Sequence, residues 1–282
     1  MPKSTARSRE LLELAQRVAD DLPPTVAEEA IVTGSVSRGM ADDVSDIEML
    51  IVTPETLSLD VCFDHARAAG LTGLATWGAQ DTPARRVSGI RDGVPIELVW
   101  WSREFAESQI ANVLDGQIAS SADAIFHGVA LRTRGLHGDW RERLSDYPDE
   151  VAAAQIEDAA LPWGGFAPEG LLTIVRPGER LALVEWMLDG AVRAMRIVFA
   201  LNRVWVPTTK RLAARVEPLA VKPPRFAERI DEALTEPGAT TALLILTELQ
   251  LDTVELAPSG PNVERARTWL ADGADLLRNA RR

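Results

Sequence analysis

Two carboxylates, Asp46 and Glu48, lie one residue apart at the start of an apolar run that ends at Val52. Side chains alternate between the two faces of a β-strand, so both carboxylates would point to the same side. Neighbouring carboxylates repel each other unless a cation lies between them. Mg²⁺ suits this position, because it takes hard oxygen ligands and commonly completes its coordination shell with substrate phosphates. The pair therefore predicts a Mg²⁺ site.

A Gly-Ser turn precedes the acidic pair in the sequence. Gly34 and Ser35 follow the apolar residues 30–32, and a turn that opens a helix presents backbone N–H groups and a hydroxyl to a phosphate. Taken singly, a Gly-Ser pair is common, and an Asp-x-Glu on a strand is usually a solvated face. The order strand, Gly-Ser turn, helix and acidic strand is far more specific. A metal site beside a phosphate-binding turn predicts nucleotidyl transfer.

A third acid, Glu97, is the only charged residue in the apolar segment 94–100. Asp92-Gly93 precedes this segment and is a strong hairpin signal. A lone acid in an apolar strand costs free energy to bury unless it is paired or binds a metal. The alternative is a surface-facing Glu on an edge strand, and Pro95 is typical of an edge strand or of a strand start.

The stretch Gly34-Ser35-x-x-Arg38, followed by Ser-Asp-Ile-Glu-Met at residues 45–49, resembles the nucleotidyltransferase superfamily built on the polymerase-beta-like fold. Within it, the stretch is most similar to the kanamycin nucleotidyltransferase type, which uses Asp-x-Glu where many relatives use Asp-x-Asp. The close match covers residues 33–52, and the order of strands and helices in residues 1–105 matches loosely.

The resemblance implies transfer of a nucleoside monophosphate from an NTP to an acceptor hydroxyl, with ATP favoured as the co-substrate and AMP as the transferred group. It implies that Asp46 and Glu48 are metal ligands and that Gly34, Ser35 and Arg38 bind the triphosphate. An acid on the strand beside the metal strand completes the triad in this superfamily. Glu97 is the matching position, as a metal ligand or as the general base that takes the proton of the acceptor hydroxyl.

In several related adenylyltransferases a basic residue from the second domain reaches the triphosphate. Lys210, which follows an Asn-Arg-Val-Trp-Val-Pro-Thr-Thr segment at residues 202–209, is the matching candidate here. The alternative is a solvent-exposed lysine after a turn.

The longest predicted helix, residues 178–202, offers two further acids. Glu185 and Asp189 could line an acceptor pocket facing Glu97, or could pair with Arg193 and Arg196 on neighbouring turns, which we favour. Glu157 and Asp158 are a less supported source of a base. Apolar residues at helical spacing on the long helix predict the core of a bundle. These are Leu181, Val184, Leu188, Val192, Met195 and Phe199.

The periodicity predicts an α+β fold, in which a small mixed sheet with helices is followed by an all-helical bundle. Predicted strands cover residues 29–33, 46–53, 84–90 and 94–101, with helices over residues 5–21, 36–41 and 57–69. Further helices are predicted over residues 103–115, 120–134, 139–145, 148–160, 224–234, 239–255 and 261–281. We expect a nucleotidyltransferase catalytic domain at residues 1–104 and a helical substrate- and nucleotide-closing domain at residues 105–282, with the active cleft between them.

The net charge of the chain bears on which partners it can bind. The net charge of −12 argues against nucleic acid, whose binding depends on Lys and Arg contacts to phosphate, and suits a small and cationic hydroxylated acceptor such as an aminoglycoside-like antibiotic. The alternatives are a toxin or regulator that modifies tRNA or a protein, an enzyme of secondary metabolism that acts on a carrier or a sugar, and a binding module without catalysis, which the three acids argue against. The sequence contains no run of about 18 apolar residues, so no membrane span is predicted. A polar N-terminus and a single cysteine, Cys62, favour the cytoplasm. We place Cys62 in a helix, buried or half-buried, and we expect a monomer or a homodimer.

Overall fold

A computed structural model of the chain describes residues 4–77, 82–117, 119–160 and 167–281. The chain divides into two units, Met1–Asp146 and Tyr147–Arg282. The Pro-Trp-Gly-Gly segment at residues 162–165, whose composition predicts a joint between helices, lies outside the described residues.

The first unit combines one mixed sheet with helices. Its strands are β1 (Glu29–Val32), β2 (Ile47–Thr53), β3 (Thr72–Ala75), β4 (Arg85–Arg91), β5 (Val94–Ser102) and β6 (Val129–Arg132). Its helices are α1 (Ala6–Asp21), α2 (Gly34–Ser37), α3 (Leu59–Ala68), α4 (Arg103–Leu114), α5 (Ser120–Phe126) and α6 (Leu136–Ser145). Within the described residues the strand order is β3-β4-β5-β2-β1-β6; β2 and β5 run parallel, and the other neighbours are antiparallel.

The two faces of the sheet differ in burial. Along β5, Ile96, Leu98 and Trp100 are buried, whereas the residues between them, including Glu97, are only half-buried. The buried face packs against α1 and α3 in one apolar core. Because side chains alternate along a strand, the same pattern that fills this core leaves polar side chains on the opposite face.

The β4–β5 hairpin is closed by the predicted Asp92-Gly93 pair. Both residues have positive φ, 53° and 78°. A two-residue turn of this handedness matches the twist of the strands it joins, and it needs residues that tolerate positive φ at both positions. The hairpin prediction is confirmed.

The prediction of one helix over residues 120–134 is wrong. Helix α5 ends at Phe126, and β6 then pairs with β1, so that Val129 lies opposite Val32. Gly128 allows the change of direction, because an added Cβ there would crowd Ile31 and the last carbonyls of α5. Since β6 belongs to the sheet, the first unit continues to Asp146, beyond the boundary expected at residue 104. The assignment of catalytic and closing roles to the two parts of the chain stays a prediction.

The described part of the second unit contains helices and connecting segments only. Its helices are α7 (Asp149–Ala160), α8 (Gly170–Ile174), α9 (Arg180–Leu201), α10 (Leu212–Val216), α11 (Phe226–Thr235), α12 (Ala239–Glu255) and α13 (Pro261–Ala280). A mixed sheet with helices followed by an all-helical unit confirms the predicted fold class. Among the described helices, none combines the length and apolar character that crossing a bilayer requires.

The prediction of which face of the long helix is buried in the bundle core is only partly correct. Met195 and Phe199 are buried, but Leu181 is 82% exposed and Leu188 is 50% exposed. The N-terminal half of α9 instead buries another face, which includes Trp186. Periodicity could not choose between the faces, because this helix carries apolar residues on both.

Candidate active site

The three predicted acids lie on the same face of the sheet. In the parallel pairing of β2 with β5, Glu48 is the direct neighbour of Glu97. Asp46 comes immediately before β2; it and Glu48 are less buried than Ser45 and Ile47, as the alternation of a strand requires. Because β5 lies between β4 and β2, Glu97 is not on an edge strand.

The Gly-Ser turn lies directly against this acidic face. The backbone N–H of Thr33 donates to the Glu48 carbonyl at 2.9 Å. Gly34 has φ +67°, and an added Cβ would overlap the Glu48 Oε2 atom. Residues 34–37 form the single helical turn α2, whose first N–H groups have no partners within a helix. Gly34 and Ser35 thus lie beside Glu48, as the sequence predicted, while their contact with a triphosphate stays a prediction.

The start of α1 holds the segment that leads to Asp46. Thr5 caps α1, and its hydroxyl also donates to the Ala41 carbonyl at 2.9 Å. The Ser45 hydroxyl then accepts from the Asp42 N–H at 2.9 Å and donates to its carboxylate at 2.8 Å. These contacts close a turn immediately before Asp46 and fix the direction in which β2 begins.

Arg38 is used within the protein. Its Nη1 donates to the Gly34 carbonyl at 2.8 Å, and its Nη2 lies 2.5 Å from Asp123 Oδ2. Both side chains are largely buried, with 12% and 5% exposure. Arg38 therefore braces the Gly-Ser turn against α5, and its predicted contact with the triphosphate stays a prediction. Asp123 was missed from the sequence; the signal was a lone acid among the small and apolar residues of α5.

Glu97 has neighbours that sequence reasoning also missed. Its Oε1 atom lies 3.7 Å from Arg86 Nε, and Ser88 is its direct partner on β4. The Arg86 guanidinium in turn lies over the ring of Trp77, 4.9 Å from its centroid. Alternation along β4 could have placed Arg86 and Ser88 on the face of Glu97, once the Asp92-Gly93 hairpin had fixed the register.

The candidate residues of the helical half belong to the second unit. Lys210 is exposed in the segment between α9 and α10, and its role at a triphosphate stays a prediction. Asp189 pairs with Arg193 at 2.6 Å, which is the alternative favoured from the sequence, and Glu185 is exposed. Glu157 accepts from the Asn262 N–H at 2.9 Å, near the start of α13.

Two other groups capable of chemistry are structural. Cys62 is fully buried in the core of the first unit, as expected, and burial raises the pKa of its thiol to about 11. His137 is buried, and burial lowers its pKa despite the hydrogen bond between its Nε2 and the Ile125 carbonyl. A buried neutral thiol is a poor nucleophile at neutral pH.

The donor chemistry of the acidic face suits Mg²⁺. Across the described residues, no three His, Cys, Asp or Glu side chains are grouped to enclose a metal ion by themselves. Mg²⁺, however, is usually held by one or two carboxylates, and substrate phosphates and water complete its shell. Asp46 and Glu48, on one face and beside the Gly-Ser turn, fit this description. Ligation by Glu97 stays a prediction.

Comparison with known proteins gives little beyond the structure itself. No protein-family model matches the sequence, and no curated protein matches it. A solved nucleotidyltransferase-like protein from Exiguobacterium sibiricum aligns over 95% of this chain and 91% of its own, with 10% identity and a TM-score of 0.36. The Thermotoga maritima CCA-adding enzyme complexed with tRNA aligns over 99% of this chain and 82% of its own, with 12% identity and a TM-score of 0.28. Likenesses at this level carry no inference about activity.

Proposed function

We propose that this protein is a Mg²⁺-dependent nucleotidyltransferase that moves a nucleoside monophosphate, with AMP favoured, from an NTP to a hydroxyl of a small molecule. One observation carries the proposal: Glu48 adjoins Glu97 across the β2–β5 pair and lies against Gly34 of the Gly-Ser turn. Acids for a metal, an acid for a proton and a turn for phosphate are thereby adjacent, as such a transfer requires.

The triphosphate is assigned to the Gly-Ser turn. The first backbone N–H groups of α2, with the Ser35 hydroxyl, are donors for phosphate oxygens. Arg38 holds the Gly34 carbonyl and keeps the turn in place. Asp46 and Glu48 would hold Mg²⁺, which when bound neutralises charge on the phosphates.

Glu97 is assigned as the general base. The acceptor oxygen attacks the α-phosphorus while its proton passes to a Glu97 carboxylate oxygen. The bond between the α-phosphorus and the oxygen that bridges to the β-phosphate breaks, and pyrophosphate leaves with that oxygen. The protein contributes positioning and electrostatic stabilisation, since phosphoryl transfer leaves little covalent chemistry for it to perform.

A small hydroxylated acceptor, aminoglycoside-like in the first instance, is favoured over nucleic acid. Its support is the net charge of −12, which would attract a cationic acceptor and repel a polyphosphate chain. Lys210 is assigned as a further contact to the triphosphate from the helical half.

The test is a transfer assay. The protein is incubated with each α-labelled NTP, Mg²⁺ and, separately, aminoglycosides, lincosamides, bulk tRNA and cell lysate. We expect label on a small molecule, and a fall on the order of 100-fold in Asp46→Asn. Asp43→Asn, an exposed acid three positions earlier, is the matched control and should keep full activity. Label on tRNA or protein would overturn the small-molecule acceptor, and undiminished transfer by Asp46→Asn would overturn the site.

A further inference from the structure

An aromatic side chain lies exposed at the end of the acidic face. Trp77 follows β3, and 55% of its surface is exposed, which is unusual for the largest apolar side chain. Its ring lies against the Arg86 guanidinium, and Arg86 lies beside Glu97. The three side chains form a continuous row from the proposed base to the open indole.

The row lies on the far side of the acids from the Gly-Ser turn. In the sheet order, β1, from which the turn leads, is on one side of β2, whereas β5, β4 and β3 follow on the other. Adjacent strands are spaced by about 4.8 Å, so β4 lies about 10 Å from β2. With the triphosphate assigned to the turn, the side of Arg86 and Trp77 is left for the acceptor.

The segment that carries Trp77 is joined to β4 by side-chain hydrogen bonds. The Thr76 hydroxyl, next to Trp77, donates to the Arg86 carbonyl at 2.7 Å. The Ser88 hydroxyl donates to the Ala75 carbonyl at 3.3 Å. The guanidinium lies over part of the ring, 4.9 Å from its centroid, and a ring with few remaining conformations loses little entropy when a ligand stacks on it.

We propose that Trp77 and Arg86 form the acceptor subsite and that it takes a neutral, hydroxylated ring such as a sugar. This rests on the proposed function. The face of the ring stacks on the indole, one hydroxyl oxygen accepts from Arg86, and a neighbouring hydroxyl donates to Glu97. The Arg86 charge repels an ammonium group at this position, so any cationic group of the acceptor lies elsewhere.

Matched probes test the charge preference directly. Methyl glucoside and the methyl glycoside of glucosamine differ at one position, hydroxyl against ammonium, and each is titrated while the indole N–H signal of Trp77 is followed by NMR. Trp77→Phe assigns that signal. We expect the neutral glycoside to bind about tenfold more tightly, and Arg86→Glu to reverse the preference. Arg85→Glu makes the same charge change on the opposite face of β4 and should leave the preference unchanged.

Several outcomes would overturn the subsite. They are an unmoved Trp77 signal with the neutral glycoside, an unchanged preference in Arg86→Glu, or tighter binding of a short single-stranded RNA at Trp77. Binding of NTP with and without Mg²⁺ is measured on the same samples. If the protein binds the neutral glycoside but shows no Mg²⁺-dependent binding of NTP, the proposed function alone is wrong. If it binds NTP with Mg²⁺ but not the glycoside, the subsite alone is wrong.

Discussion

The buried ion pair between Arg38 and Asp123 gives the sharpest test of the structure. Asp123→Ala removes the carboxylate that pairs with the Arg38 guanidinium, which is only 12% exposed. The hydrogen bonds of Arg38 to the backbone carbonyls of residues 34 and 123 remain, but a carbonyl carries no full negative charge to replace the carboxylate. Removing one partner of a buried pair costs about 3–5 kcal/mol, because the other charge stays desolvated. That is a large share of the roughly 5–15 kcal/mol that stabilises a folded protein.

Urea unfolding measures this cost. With a urea dependence of about 2 kcal/mol per molar, the midpoint for the first unit should fall by about 2 M. The reaction of Cys62 with a thiol reagent reports this unit alone, since the thiol is fully buried within it. The matched control is Asp64→Ala, which removes an exposed pair with Arg67 whose side chains are 72% and 62% exposed. It should cost at most about 1 kcal/mol, less at high salt. Equal midpoints for the two variants would refute the reasoning.

Three further outcomes follow from single side chains. Gly34→Ala should lower both the unfolding temperature and the affinity for Mg²⁺-NTP. The alanine would have to adopt a positive φ, and its Cβ would overlap the Glu48 carboxylate. Cys62 in the native protein at pH 8 should react at least ~100-fold more slowly with iodoacetamide than in urea, since burial raises its pKa to about 11. Partial burial would raise the pKa of Glu107, but hydrogen bonds from Trp140 and Arg143 hold it below its usual 4.5. Its contribution to stability is therefore complete above pH 4.5 and lost as pH falls through the lowered pKa, so Glu107→Gln should destabilise at pH 7 and less at pH 3.

Each of these predictions has a result that would contradict it, and Gly34→Ala also has a matched control. Gly93→Ala has the same strain, φ +78°, but no atom within 4 Å of the new Cβ, so only Gly34→Ala should affect the nucleotide; equal effects would contradict the overlap. Fast modification of native Cys62 would show that the core of the first unit opens readily. For Glu107, thermal unfolding of wild type and variant is compared from pH 7 to 3, and a difference that grew toward pH 3 would contradict the sign.

Local pattern was sufficient where neighbouring residues decide the structure. The alternation in β5 and the Asp92-Gly93 turn predicted the hairpin, because strand period and positive φ are local properties. The acids at positions 46 and 48 could be placed on one face for the same reason. The adjacency of Glu48 to Gly34 followed from a short connection between two strands.

Pairing between segments that are distant along the chain could not be predicted from the sequence. Residues 129–132 look helical alone and become β6 because β1 offers a free edge. The apolar residues of α9 occupy two faces, and only packing within the second unit decides which is buried. The pairing of Arg38 with Asp123, which is 85 positions away in the chain, could not be read from either local segment, and the predicted contact of Arg38 with a triphosphate stays a prediction.

Sequence alone thus determined the local elements and the types of residue that could bind metal and phosphate, because periodicity and turn chemistry depend on residues close along the chain. Tertiary structure decided which of these residues meet, since charge pairing and strand register join segments that no local pattern connects. The row of Glu97, Arg86 and Trp77 exists only because β4 pairs with β5 in one register and because Trp77 follows β3, the neighbour of β4 on its other side.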